Sequence, residues 1–267
     1  MEKDRIALLD TDFISKAYHC CPSTTHLIDF VLSLPEYTFY CHQQIVVEMA
    51  RHFSDTEQWL SGKIQAGEIL SYTDDQILSI LQSVYGLGCY PMYTTYLKEA
   101  CNAFGTSHFA THYGSLSSFD YNTQDKATFL AEIAKGDTSV GIDNHLGEIK
   151  TYVLLQMLAN LNGEQIYMFY SDDGDARKGM IQFSGVSCFS VLSLFLQLKN
   201  ENILDKTQAQ PYFTAYRSSL APSQTQFRVM KADREGRIDR VLCEQVFEDI
   251  FDDKFEMLRN GMLRYKK

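Results

Sequence analysis

One stretch of the chain, residues 143–175, constrains the fold more than any other. Apolar residues at steps of three and four predict a helix from Ile149 to Asn160 with one buried stripe: Ile149, Val153, Leu154, Met157 and Leu158. Gly163 follows as a natural helix C-cap. The apolar and aromatic run 165–170 is typical of a strand. The stretch therefore predicts a helix and a following strand, as in the repeating unit of an α/β sheet.

Acidic residues stand at both ends of this unit. Glu148 opens the helix, and Asp172, Asp173 and Asp175 come just after the strand. Three carboxylates within four residues repel each other unless a cation lies among them. A divalent metal held by oxygen ligands would supply that cation. The alternative is a plain polar turn, because Asp and Gly are ordinary turn residues.

The same arrangement occurs near the start of the chain. Residues 6–9 form a buried type of strand, directly followed by Asp10 and Asp12. Asp12 is equally suited to cap the next helix. After a second predicted strand, residues 37–41, Glu48 lies one turn into a helix. Its alternative is a surface glutamate paired with Arg51 or His52 at helical spacing.

Strands alternate with helices through most of the chain, so we expect a mainly parallel sheet with helices on both faces. We predict one domain over residues 1–205, with a helical insertion at about 76–141, and a C-terminal extension over 206–267. Within the extension, 206–226 is expected to be a linker or an irregular wrap. The remainder is expected to form a small strand–helix–strand unit or a helical tail.

Composition narrows the class of protein. Hydrophobic residues make up 45% of the 267 residues, which indicates a globular chain. No apolar run approaches the roughly 20 residues of a membrane span, and the N-terminus lacks the apolar region of a signal peptide. The 7 cysteines are scattered without a C-x-x-C pair, which favours reduced thiols and a cytoplasmic location.

At this point the chain resembles the PIN-domain nuclease family. The similarity rests on four short motifs and covers roughly residues 5–204. The motifs are Leu8-Leu9-Asp10-Thr11-Asp12, Val46-Val47-Glu48, Gly147-Glu148-Ile149 and Ser171-Asp172-Asp173-Gly174-Asp175-Ala176. The chain departs from the family pattern in two ways. Nearly a hundred residues separate Glu48 from Glu148, more than in compact members, and the segment 206–267 has no counterpart in them.

The resemblance implies a three-layer α/β/α sandwich and a metal-dependent ribonuclease site. By this resemblance Asp10, Glu48, Glu148 and Asp173 take the catalytic positions, and Asp175 joins them as a fifth metal ligand. The expected cofactor is Mg²⁺ or Mn²⁺. Carboxylate-held ions of this kind can activate water, neutralise charge at phosphorus and stabilise the leaving oxygen.

The leading interpretation is an endoribonuclease acting on RNA, with the toxin of a toxin–antitoxin pair as one expected role. Candidate partners are an antitoxin or another protein, and a second copy of the chain. The first alternative is a non-catalytic PIN-like interaction module whose acids hold no metal. The second is another metal-dependent phosphohydrolase, such as a phosphatase.

Charge is distributed unevenly. The chain has a net charge of −10, but residues 206–267 hold 12 Lys and Arg against 9 Asp and Glu, a net of +3, which leaves −13 elsewhere. Five basic residues cluster within this segment: Arg228, Lys231, Arg234, Arg237 and Arg240. We expect this basic cluster to bind RNA by its phosphates. The alternative is a solvated face of a helix docked on its own domain.

Overall fold

The computed structural model describes residues 5–104, 107–141, 145–163, 165–233 and 236–267. The chain begins with β1 (Arg5–Leu9), α1 (Thr11–His19), α2 (Leu27–Leu32), β2 (Tyr37–His42), α3 (Gln43–His52), α4 (Ser54–Gln65), β3 (Ile69–Tyr72) and α5 (Asp74–Tyr85). It continues with α6 (Cys89–Phe104), α7 (His108–His112), α8 (Lys126–Val140), α9 (Leu146–Asn162), β4 (Ile166–Tyr170), α10 (Gly174–Met180), β5 (Val186–Phe189) and α11 (Val191–Asn200). It ends with α12 (Lys206–Ser219), β6 (Gln226–Met230), β7 (Ile238–Leu242), α13 (Cys243–Phe251), β8 (Phe255–Met257) and β9 (Leu263–Tyr265).

The main sheet has five strands in the order β3-β2-β1-β4-β5. β2 pairs with β3, and β4 pairs with β5, both in parallel. Helices connect the strands and flank the sheet. The α/β class with a mainly parallel sheet is therefore confirmed, and the architecture is compatible with a three-layer sandwich.

The chain divides into two compact units. The first comprises residues 1–11 and 38–166, and the second comprises residues 12–37 and 167–267. The first unit thus contains β1, β3 and nearly all of β2, and the second contains β5 and nearly all of β4. The predicted domain boundary at residues 205 and 206 stays a prediction.

In the first unit, α9 forms the centre of the core. All five residues of its predicted apolar stripe are buried. It packs against α6 and α3 and ends at Gly163, whose φ of 68° suits the C-cap predicted there. Although α9 is long and buried, no helix in the described parts of the chain is long and apolar enough to cross a membrane.

The predicted insertion at about 76–141, which precedes α9, is helical. α6 and α8 lie within the predicted helical insertion, and 3₁₀ turns occur at Gly86–Gly88 and Gly114–Ser118. Aromatic residues hold the region together: the ring of Phe129 meets those of Tyr90, Tyr93 and Phe119 with centroid separations of 4.8 to 5.9 Å. These contacts join α6 and α8 through their aromatic rings.

In the second unit, a smaller sheet follows the last strands of the main sheet. Its order is β7-β6-β9-β8. α13 lies against α11 and α12, with Val246, Phe247 and Ile250 buried. The C-terminal residues therefore share a core with residues 191–219.

The prediction that residues 206–226 form a linker or an irregular wrap is wrong. Most of this segment is the helix α12, in which Asp205 caps the first turn and pairs with Gln208 in a capping box. Its buried residues have helical spacing: Ala209, Tyr212, Phe213 and Tyr216. Pro211 and the polar residues between them hid this pattern, because a proline inside a helix usually ends it.

Candidate functional site

Three of the predicted acids lie in the first unit, each next to the end of a strand or the start of a helix. Asp10 directly follows β1 and is only 4% exposed. Glu48 lies in the second turn of α3, which begins as β2 ends, and is 8% exposed. Glu148 lies in the first turn of α9. Buried carboxylates need hydrogen bonds or cations, so their partners decide what they can do.

Glu48 is held by neighbours on both sides. Thr11 Oγ1 donates to Glu48 Oε2 at 2.7 Å, and Gln44 Nε2 lies 3.4 Å from Oε1. Gly147 lies against the same carboxylate: a Cβ at this position would be 2.6 Å from Oε2. The glycine thus allows the carboxylate of one helix to touch the first turn of another.

Glu48 and Glu148 form a pair of like charges. The pKa of Glu48 is raised to about 7, mainly by burial and further by the charge of Glu148. Hydrogen bonds from Thr11, Gln44 and the Gly147 backbone lower the pKa but do not outweigh these effects. A bound cation would favour the ionised form of both residues. A divalent ion at this pair would therefore relieve its repulsion.

His145 stands beside Glu148. Its Nδ1 lies 3.3 Å from Glu148 Oε1, and its ring stacks on Phe104. Its backbone adopts a left-handed conformation, with φ of 63°. Such a conformation is costly for a residue with a side chain and is retained where the surroundings enforce it.

The donor set bears directly on the expected metal. Over the residues that the structure describes, no group of three or more His, Cys, Asp and Glu side chains is arranged to hold a metal ion. Mg²⁺ usually keeps several waters and is bound by one or two protein carboxylates. The Glu48–Glu148 pair fits that smaller requirement. Asp143, an acid five residues before Glu148 in sequence, lies outside the described residues.

The remaining predicted acids, Asp173 and Asp175, lie in the second unit and are exposed. Asp173 is the N-cap of α10, and its Oδ1 accepts from the backbone N–H of Asp175 at 2.7 Å. An N-cap carboxylate keeps lone pairs free for another ligand. Both residues could therefore bind an ion while Asp173 performs its structural role.

Asp172 has a different role from its neighbours. Its carboxylate accepts from Lys16 Nζ at 2.7 Å, from Tyr216 OH at 3.2 Å and from the backbone N–H of Val191 at 3.1 Å. Asp12, the other acid considered near β1, accepts from the Asp172 backbone N–H at 2.9 Å. Of the two adjacent aspartates, Asp172 is thus committed to internal contacts and Asp173 is the one that faces solvent.

Lys16 is a residue that the sequence interpretation missed. Burial lowers the pKa of Lys16, but Asp172 and Asp12 outweigh this effect and raise it. Lys16 therefore supplies a cation next to the acidic loop. Its place in sequence, 156 residues before Asp172, left no local signal, whereas the acids themselves were visible as a cluster.

The predicted basic cluster separates into two kinds of residue. Lys231 pairs with Asp239 at 3.3 Å, and Arg237 pairs with Asp233 at 3.0 Å. Arg228 and Arg240 are exposed and lie directly opposite each other on β6 and β7. Arg234 lies outside the described residues. The charge available to a ligand therefore belongs mainly to Arg228 and Arg240.

No protein-family model matches the chain, and searches of curated proteins and of solved structures found no match. The resemblance to PIN-domain nucleases thus depends on the four motifs and their positions alone.

A second feature missed from the sequence is a buried ion network in the first unit. Lys150, 1% exposed, bridges Asp74 at 2.9 Å and Asp137 at 2.8 Å. Tyr93 donates to Asp74, and Tyr113 donates to Asp137 at 2.7 Å. Burial lowers the pKa of Lys150, but both carboxylates outweigh it and raise the pKa. The network anchors α9 two residues beyond Glu148.

Proposed function

We propose that the chain is a Mg²⁺- or Mn²⁺-dependent endoribonuclease of PIN-like type that hydrolyses phosphodiester bonds in RNA. The observation that carries the proposal is the Glu48–Glu148 carboxylate pair: burial raises the pKa of Glu48, and the charge of Glu148 raises it further. Two carboxylates brought together near the starts of two helices favour an oxygen-bound divalent cation. Hydrolysis of phosphodiesters is a reaction that such cations support.

The residues of the first unit have distinct tasks in this proposal. When bound, the metal would polarise the phosphate and lower the pKa of a water molecule. Thr11 orients Glu48 through its 2.7 Å hydrogen bond, and Gly147 leaves the space in which that carboxylate lies. Glu148 supplies the second carboxylate. Asp10, Asp173 and Asp175 are proposed as further ligands from the resemblance alone.

The proposal extends to location and partners. All seven cysteines are free thiols, which supports a reducing compartment such as the cytoplasm. RNA is the proposed substrate. The toxin role, with an antitoxin or another protein as partner and with a second copy of the chain as a further candidate, is proposed from the resemblance.

The test combines metal binding with cleavage. Calorimetric titration of the wild-type chain with Mn²⁺ should show binding that Asp10→Asn and Glu148→Gln reduce at least tenfold. Both variants should lose RNA cleavage while keeping the wild-type thermal stability or exceeding it, because removing a crowded carboxylate relieves repulsion. Full cleavage by either variant would refute the assignment of that residue. Cleavage of an aryl phosphate, but not of RNA, would indicate a phosphatase instead.

Asp173 requires two substitutions, because it is also a helix cap. Asn caps helices as well as Asp does, whereas Ala costs about 1 kcal/mol. We expect Asp173→Asn to fold normally and to lose cleavage. Asp173→Ala should lose cleavage and some stability. Undiminished cleavage in the Asn variant would show that Asp173 is only a cap.

One observation favours a second candidate function, the non-catalytic interaction module. This observation is that the described residues contain no group of three or more potential metal ligands. An interaction module would bind Mn²⁺ no more tightly than the Glu148→Gln variant does, and would bind RNA or protein without cleaving either. The calorimetric titration above therefore separates the two functions.

A further inference from the structure

The second unit contains a cavity of about 610 Å³ beside the acidic loop. Asp172 and Gly174 of that loop line one part of it, and Arg228 and Arg240 of the small sheet line another. Arg177 of α10 is also in the lining. In a chain of net charge −10, three arginines around one cavity are a local concentration of positive charge.

Among the described residues, these arginines have no carboxylate partner. Neither Arg228 nor Arg240 makes an ion pair within the part of the chain that the structure describes. Arg177 donates to backbone carbonyls, from Nε to Asn260 at 3.0 Å and from Nη1 to Ser171 at 2.7 Å. The one carboxylate among the described lining residues, Asp172, is already paired with Lys16. The cavity is therefore strongly positive.

The register of the small sheet adds a second argument. Arg228 and Arg240 are directly opposite each other on antiparallel strands, and like charges in this position destabilise a sheet. An anion bound by both guanidinium groups would relieve the repulsion. Arginine is suited to this task because its fork of donors matches the oxygens of a phosphate.

The surroundings of the pair fit a nucleic-acid strand. Leu242 and Ile238 flank Arg240 on the same face of β7 and are 55% and 54% exposed. They offer apolar surface to bases. Ser223 and Thr225, also in the lining, carry hydroxyl donors for phosphate oxygens. The ligand class that satisfies cations, hydroxyls and apolar surface together is a single-stranded polynucleotide.

We propose that this cavity binds the phosphodiester backbone of single-stranded RNA through Arg228 and Arg240, and passes the strand along the loop that carries Asp173 and Asp175. The proposal rests on the proposed ribonuclease function, and it assigns substrate binding to the C-terminal segment. Lys231 and Arg237, which are already paired with aspartates, contribute little to it.

The test measures binding in EDTA, so that it does not depend on cleavage. The probe is a fluorescein-labelled ten-nucleotide oligouridylate, followed by anisotropy between 50 and 300 mM KCl with the full chain. We expect Arg228→Gln with Arg240→Gln to weaken binding at least tenfold. The slope of log affinity against log salt concentration should become less negative by about 1.4, because each phosphate contact on a single strand contributes about 0.7 to this slope.

The matched control is Lys231→Gln with Arg237→Gln, which removes the same charge from the residues just beyond β6 and just before β7, outside the cavity lining. It should change affinity less than twofold. Arg228→Lys with Arg240→Lys should keep the salt slope and lose part of the affinity, because it preserves charge without the fork. Equal losses in the two Gln variants, or no loss in the first, would overturn the proposal. Tighter binding of a decaglutamate peptide than of the RNA would also overturn it, in favour of an acidic protein ligand.

Cleavage is then assayed separately with Mn²⁺. If the wild type binds RNA through Arg228 and Arg240 but does not cleave it, the proposed ribonuclease function fails and the binding site stands. If the wild type cleaves RNA and the Gln variant of both arginines binds normally, the binding site fails and the ribonuclease function stands.

Discussion

The carboxylate of Glu48 occupies the space that a side chain at Gly147 would need. A Cβ on Gly147 would lie 2.6 Å from Glu48 Oε2 and 2.9 Å from Oε1, distances that real Cβ atoms do not reach. The glycine is in the first turn of α9, next to Glu148. Because Gly147 has no side chain, the two glutamates can approach each other.

The first prediction tests this relationship with Gly147→Ala. Alanine favours the helix over glycine by up to about 1 kcal/mol, and the group that must move is the end of a flexible side chain. We therefore expect unchanged or higher stability in denaturant unfolding. Displacing the Glu48 carboxylate should lower Mn²⁺ affinity at least tenfold by calorimetry, with a parallel loss of RNA cleavage.

The control for this variant is Gly62→Ala in α4, where no atom lies within 4 Å of the added Cβ. It should gain similar helix stability and leave metal affinity unchanged. Wild-type metal affinity in Gly147→Ala would show that the close contact has no role in the site.

The second prediction concerns the pH dependence of stability. The pKa of Glu48 is 4.5 in the unfolded chain and about 7 in the folded one, chiefly because of burial. The folded state therefore holds its proton more tightly, and stability falls as pH rises from 4.5 to 7. The full effect is roughly 3 kcal/mol, at about 1.4 kcal/mol per pKa unit.

Glu48→Gln cannot ionise, so we expect it to gain stability relative to the wild type as pH rises over this range. Urea unfolding at pH 5, 6, 7 and 8 measures the difference. Glu99→Gln, at an exposed position of α6, is the control. Saturating Mn²⁺ should reduce the difference in stability between Glu48→Gln and the wild type at pH 8, because it stabilises the ionised wild type. Parallel stability curves for Glu48→Gln and the wild type would contradict the pKa assignment.

Local patterns predicted much of this fold because each of those elements carries its own signal. The apolar stripe of α9 directly predicted a buried helix, and the apolar run before Asp10 directly predicted a buried strand. The resemblance assigned Glu48 and Glu148 to one site. The general rule that residues at the carboxyl ends of parallel strands gather at one edge does not apply to Glu148, which opens α9. Gly147 was visible in the motif, but its function was not, because a missing Cβ has meaning only beside the group that fills its space.

Other features depend on pairings that a single sequence does not reveal. Lys150 appeared to be an ordinary polar position in α9, yet its partners come from the starts and ends of other helices. The opposition of Arg228 and Arg240 requires the register of β6 and β7, which the two strand patterns leave open. α12 had readable signals, a capping box and four apolar residues at helical spacing, but Pro211 obscured them.

The last prediction concerns Lys150, whose amine lies between Asp74 and Asp137. Replacing it with methionine keeps most of the volume but leaves two largely buried carboxylates without their cation. Breaking a buried pair in this way costs about 3–5 kcal/mol, so Lys150→Met should lose that much stability in urea unfolding. Adding Asp74→Asn and Asp137→Asn should restore a large part of the lost stability, because the uncompensated charges are then gone.

The control is Lys63→Met, which breaks a pair with the exposed Glu68 and should cost less than about 1 kcal/mol. Equal costs for the two single lysine variants would mean that the buried network adds nothing beyond a surface ion pair.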